Sequence, residues 1–84
     1  MRLLIVEDDV ALRQSLAARL READFTVDEA GTASEAEYFA AEFAVQIAII
    51  DLGLPDRSGV ELVKRLRAAG HSFPVVILTA REHW

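Results

Sequence analysis

The stretch Val45-Gln46-Ile47-Ala48-Ile49-Ile50-Asp51-Leu52 decides the fold. It is an apolar run of strand length, rich in β-branched residues, with an acid at its end. A strand with one wet face alternates apolar and polar residues. A nearly unbroken apolar run instead suits a strand buried on both faces of a parallel sheet. Leu3-Leu4-Ile5-Val6 and Val75-Val76-Ile77-Leu78 have the same character on either side of it. Between these runs the period changes. Leu12, Leu16 and Leu20 recur every four residues, with Arg13, Arg19, Arg21 and Glu22 among them. This spacing predicts an amphipathic helix of about four turns, with Asp9 placed to cap it.

Asp24-Phe25 breaks that pattern, and Thr26–Ala30 reads as a more polar strand at a sheet edge. Thr32 with Glu35, and Ser34 with Glu37, both fit a capping box. Ala36, Phe39, Ala40 and Phe43 form the apolar stripe of the helix that follows. Gly53-Leu54-Pro55-Asp56-Arg57 is loop chemistry. Ser58 with Glu61 is another capping box, leading into a helix with Leu62, Val63 and Leu66 on one face and Gly70 as its stop. Pro74 opens the last strand, which ends at Thr79-Ala80. The resulting β-α-β-α-β-α-β order predicts right-handed crossovers and a doubly wound parallel sheet.

Composition narrows the function. The 84 residues allow one small domain, with no internal repeat or linker. There is no cysteine, which excludes a disulfide framework and a thiolate metal site. A net charge of −5, from 14 acids against 9 basic residues, argues against non-specific nucleic-acid binding, which needs a basic field. The N-terminal apolar run stops after four residues at Glu7-Asp8-Asp9 and does not read as a signal peptide. No apolar run approaches the ~18 residues of a membrane span.

In an open parallel sheet, ligands bind beyond the carboxyl ends of the strands, where the strand order reverses. That rule selects Glu7, Asp8 and Asp9 after the first strand, Asp51 after the third and Thr79 after the fourth. If the first and third strands are neighbours, two or three carboxylates converge in one crevice. Such groups raise one another's pKa unless a cation neutralises them, and Mg²⁺ is suited to carboxylates plus phosphate oxygens. A carboxylate beside Mg²⁺ is also a nucleophile for phosphoryl transfer. Each residue has a plainer reading: Asp9 as a cap, Glu7, Asp8 and Asp51 as solvated acids, Thr79 as structural. Gly53, Pro55 and Gly59 read as turn residues, Lys64, Arg65 and Arg67 as the wet face of the third helix, and His71 and His83 as solvated.

Taken together, Leu4-Ile5-Val6-Glu7-Asp8-Asp9, Ile49-Ile50-Asp51-Leu52-Gly53-Leu54-Pro55-Asp56-Arg57-Ser58-Gly59 and Pro74-Val75-Val76-Ile77-Leu78-Thr79-Ala80 resemble the receiver domain of two-component response regulators, OmpR/PhoB class. The resemblance covers residues 1–84. It implies a flavodoxin-like, CheY-like α/β fold with strand order 2-1-3-4, incomplete because the chain stops after the fourth strand. It further implies a bacterial, cytoplasmic protein whose Asp51 accepts a phosphoryl group from a sensor histidine kinase. Asp8 would ligate Mg²⁺ directly and Glu7 through water, with Asp51 and the Gly53 carbonyl completing the set. Thr79 would contact the phosphoryl oxygen, and Ala80 would leave the site accessible. The output would be transcription control through a DNA-binding domain outside this chain, without direct DNA or membrane binding by the chain itself.

The family's phosphate-binding lysine lies on a fifth strand, and the one lysine here is Lys64, in the third helix. Two other functions compete. One is an inactive receiver fragment that self-associates through an exposed fourth strand. The other is a Mg²⁺-dependent phosphohydrolase, which would want a second aspartate where Gly53 stands.

Overall fold

A computed structural model describes residues 1–78. The elements are β1 (Arg2–Val6), α1 (Val10–Glu22), β2 (Thr26–Ala30), α2 (Ala33–Glu42), β3 (Ile47–Asp51), α3 (Gly59–Ala68) and β4 (Val75–Leu78). All strand pairs are parallel, in the order β2-β1-β3-β4. The predicted order therefore stands, and β2 lies at the edge its polarity indicated.

The pleat sorts β1 between two cores. Leu4 and Val6 face one side, with Ala48 and Ile50 of β3, Ala33, Ala36 and Ala40 of α2, and Leu62 and Leu66 of α3. Leu3 and Ile5 face the other, with Val27 of β2 and Ala17 of α1. The strand expected to be buried on both faces is fully buried on only one. Ala48 and Ile50 are buried, whereas Ile47 and Ile49 are half-exposed. Two helices cover the first face, while among the described residues α1 alone supplies helix to the second. The Leu12, Leu16 and Leu20 stripe of α1 is correspondingly half-exposed, and Ala17 is the helix's one buried residue.

The helix ends follow local chemistry. The side chain of Asp9 accepts the Leu12 N–H, that of Thr32 the Glu35 N–H, and that of Ser58 the Glu61 N–H. Of the two boxes proposed for α2, the one at Thr32 forms. Glu35 reaches back to the Gly31 N–H, while Glu37 pairs with Arg65 of α3 through two bonds of 2.8 and 3.1 Å. The apolar stripe of α2 is carried by Ala33 as well as Ala36 and Ala40. Phe43 lies beyond the helix, half-exposed under the Arg2 guanidinium.

Helices α1 and α3 close with the same pair of bonds. After α3, the Gly70 N–H bonds the Arg67 carbonyl and the His71 N–H that of Leu66. After α1, the Asp24 N–H bonds the Arg21 carbonyl and the Phe25 N–H that of Leu20. This Schellman arrangement needs a left-handed residue. Gly70 supplies it at φ 94° and Asp24 at φ 73°. Leu20 and Phe25, the positions that flank this motif, both pack on the smaller core.

His71, which reads as solvated from sequence, is engaged, while Arg67 is exposed as its place on the wet face of α3 predicts. His71 is half-buried and tilts against the Phe73 ring at 5.7 Å, and Arg67 donates to the carbonyls of His71 and Phe73. Among the described residues, no helix is long and apolar enough to cross a membrane.

Candidate functional site

Strand register brings the acids together. Val6 of β1 pairs with Ile50 of β3, so Glu7 and Asp51, each one residue further on, sit side by side at the carboxyl end of the sheet. Asp51 is still within the ladder, paired with Leu78 of β4, and the Glu7 N–H bonds the Ala30 carbonyl of β2 at 3.0 Å. Each acid is therefore tied through its backbone to the strand on its outer side, Glu7 to β2 and Asp51 to β4. Glu7 is 3% exposed and Asp51 4%, whereas Asp8 projects into solvent. One carboxylate oxygen from each of Glu7, Asp8 and Asp51 lies within 4.8 Å of the others. Asp9, the fourth acid of the neighbourhood, caps α1 as expected.

The hydrogen bonding of these acids is incomplete. Asp51 Oδ2 accepts the Gly53 N–H at 3.2 Å, and Glu7 Oε2 accepts the Asp9 N–H at 3.0 Å. Glu7 Oε1 is buried and has no partner among the described residues. Burial, followed by the proximity of Asp8 and Asp51, holds the Glu7 carboxyl above the ordinary carboxylate range, against the opposing pull of the Asp9 N–H. Three carboxylates that each bring an oxygen within 4.8 Å of the others, together with a buried, unbonded oxygen on Glu7, fit a hard divalent cation such as Mg²⁺. Soft or nitrogen-preferring metals lack their usual ligands here.

The loop between β3 and α3 is pinned to the site. Gly53 and Ser58 form an isolated bridge, and the Gly59 N–H bonds the Leu52 carbonyl at 2.8 Å. Leu54 is buried in the larger core. Gly59 starts α3 so close to β3 that a Cβ there would stand 2.4 Å from the Asp51 carbonyl oxygen. That glycine, read from sequence as a turn residue, is a close-approach residue.

Two contributors escaped the sequence reading. Arg13 of α1 donates to the backbone carbonyl of Glu7 at 3.0 Å and to Glu29 of β2 at 3.3 Å, and Arg21 holds the other oxygen of Glu29. Asp56 of the β3–α3 loop accepts from the Ala33 and Ser34 N–H groups at the start of α2. Neither partner lies within one helical turn, so no local pattern announces them. Lys64 is exposed on α3. Thr79, Ala80 and His83 lie outside the described residues.

The model of the response regulator receiver domain matches residues 3–83. The transcriptional regulatory protein PhoP of Escherichia coli is 46% identical over all 84 residues, and the two-component response regulator PhoP of Pseudomonas aeruginosa 49%. The chain spans 38% and 37% of those two proteins. Among solved structures, the non-phosphorylated HemR receiver domain of Leptospira biflexa aligns with a TM-score of 0.87 and 36% identity, over 95% of this chain and 64% of that one. The response regulator TrrA of Thermotoga maritima, in complex with Mg²⁺ and a beryllium fluoride, aligns with a TM-score of 0.89 and 28% identity. That match covers 98% of this chain and 71% of the other.

Proposed function

The chain belongs to the response regulator receiver family, and on that premise we propose that Asp51 accepts a phosphoryl group from the phosphohistidine of a sensor histidine kinase. The observation carrying this reading is the buried Asp51 carboxylate, oriented by the Gly53 N–H and grouped with Glu7 and Asp8. In the transfer, a carboxylate oxygen of Asp51 bonds to phosphorus as the donor's N–P bond breaks, and the imidazole leaves. The ladder at Asp51 and the bond to Gly53 keep the nucleophile from swinging away, which is positional catalysis. Glu7, Asp8, Asp51 and the Gly53 carbonyl would hold Mg²⁺, which when bound offsets negative charge on the acids and on the incoming phosphoryl group. The Mg²⁺ complex of TrrA supports that choice of ion. Thr79 follows β4 in sequence and is proposed to bond the phosphoryl oxygen.

The test is incubation with a small-molecule phosphodonor and Mg²⁺, followed by intact-mass measurement. The wild-type chain is expected to gain one phosphoryl group, and Asp51→Asn none. Chelation of Mg²⁺ should suppress the gain. A mass gain that persists in Asp51→Asn places the phosphoryl group elsewhere and overturns the assignment.

The Escherichia coli relative is a transcriptional regulatory protein and the Pseudomonas aeruginosa one a two-component response regulator, and this chain spans just over a third of each. The longer protein is accordingly proposed to pass phosphorylation of Asp51 to a DNA-binding segment, in the cytoplasm. A net charge of −5 supports no direct DNA contact by this chain. A second reading, a module that pairs through β4, has one observation in its favour. Val76 and Ile77 are 51% and 41% exposed on an edge strand, which is a template for strand addition. Light scattering is then expected to show a molar mass rising with concentration. A constant monomer mass across the range would remove this second reading.

A further inference from the structure

The β3–α3 loop carries Gly53, and its ties differ in kind. At its base, the Gly53–Ser58 bridge and the bond from the Gly59 N–H to the Leu52 carbonyl join the loop only to itself and to the start of α3. Its middle is anchored by burial of Leu54 among the α2 and α3 side chains. Its tip is anchored by Asp56, whose Oδ1 accepts the Ala33 N–H at 2.8 Å and whose Oδ2 accepts the Ser34 N–H at 3.0 Å. The partners lie 23 and 22 residues away in sequence. One carboxylate thus binds two of the orphan donors at the start of α2, each with a different oxygen. Charge-assisted bonds of this kind are short and directional, and the positive end of the helix dipole favours the anion. These bonds hold the Asp56 carboxyl below its ordinary value. Helix α2 is itself fixed there, because Ala33 is fully buried in the larger core.

We propose that Asp56 is a positioning residue for the cation pocket: by locking the loop tip to the start of α2, it holds Gly53 where its carbonyl and its N–H to Asp51 serve the site. This rests on the reading of Glu7, Asp8 and Asp51 as a Mg²⁺ site. Groups bonded directly to a metal's ligands commonly change its affinity by 10–100-fold when deleted, and Asp56, which acts through the loop one step further out, belongs at the low end of that range.

Thr32 makes a matched comparison possible. Its hydroxyl caps the same helix through the Glu35 N–H, yet it has no bond to the loop. Mg²⁺ is titrated into the isotopically labelled chain, following the Gly53 amide by NMR at a temperature where circular dichroism shows each variant folded. Asp56→Ala is expected to weaken Mg²⁺ binding about tenfold. Asp56→Asn, which keeps one acceptor and serves if the alanine variant does not fold, should weaken it less. Thr32→Ala should lower the melting temperature while leaving Mg²⁺ affinity and the Gly53 response unchanged. Wild-type affinity in both Asp56 variants overturns the positioning role alone. So does an equal loss in Thr32→Ala, which would trace the effect to general loosening of α2. Absence of Mg²⁺ binding in the wild-type chain overturns the cation site itself and the inference with it.

Discussion

Gly59→Ala is expected to destabilise the chain by about 3 kcal/mol, at the upper end of what overpacking costs. The reason is the identity of the atoms in the way. A Cβ at this position would meet the Asp51 carbonyl oxygen at 2.4 Å, the Leu52 Cα at 3.0 Å and the Asp51 carbonyl carbon at 3.1 Å. All three are backbone, so no side chain can rotate to make room. Either α3 retreats from β3, which opens the core around Leu62 and Leu66, or the end of β3 shifts and takes Asp51 with it. The two other glycines with a definable constraint set the scale. At Gly31 the added methyl would meet Arg13 Nη1 at 3.0 Å, a side-chain atom that can give way only by loosening its bond to the Glu7 carbonyl, so Gly31→Ala is expected to cost about 1 kcal/mol. At Gly70 there is open space, but φ is 94°, so Gly70→Ala should cost about 1 kcal/mol from backbone strain. Urea unfolding of the three variants gives the ranking directly. A Gly59→Ala chain as stable as wild type would show that α3 and β3 are not held at this separation.

The Gly59 case marks where sequence reading stops. Alternating apolar runs, and side-chain oxygens just ahead of helices, are local signals. The sheet, its three helices and the caps at Asp9, Thr32 and Ser58 were legible for that reason. The acidic cluster was legible one step further out, because parallel strand order places Glu7 and Asp51 at the same end of adjoining strands. What remained hidden depends on distances between segments. Gly59 reads as a turn glycine until α3 is seen against β3. Asp56 reads as a loop acid until its carboxylate is found on α2. Arg13 reads as the wet side of an amphipathic helix until its guanidinium reaches the Glu7 carbonyl. The half-exposure of Ile47 and Ile49 was equally invisible, since an apolar strand does not say how many helices cover each face.

At neutral pH, Glu7→Gln is expected to raise the melting temperature of the metal-free chain and to remove most of its stabilisation by Mg²⁺. The folded state holds the Glu7 carboxyl above its ordinary value, through burial and the neighbouring charges of Asp8 and Asp51. A carboxyl raised on folding contributes stability that is fully present below its unfolded value, about 4.3, and lost as pH rises through the folded one. The metal-free wild type should therefore weaken with rising pH across that window, and Glu7→Gln should not, because the amide has no charge to bury. Glutamine also keeps an oxygen for the Asp9 N–H and offers N–H donors to the neighbouring carboxylates. Mg²⁺ reverses the comparison. A ligand that binds only the folded state stabilises by about 2.7 kcal/mol at a hundred times its dissociation constant. Wild type should gain that amount, and more steeply at higher pH, where Mg²⁺ no longer competes with the Glu7 proton. Glu7→Gln would lack one of the three charged groups proposed to hold the ion and should gain little. Calorimetric melts with and without Mg²⁺ at several pH values decide it. A variant that melts lower than wild type without metal, or responds fully to Mg²⁺, would mean that Glu7 is a structural acid rather than a group held in strain for a cation.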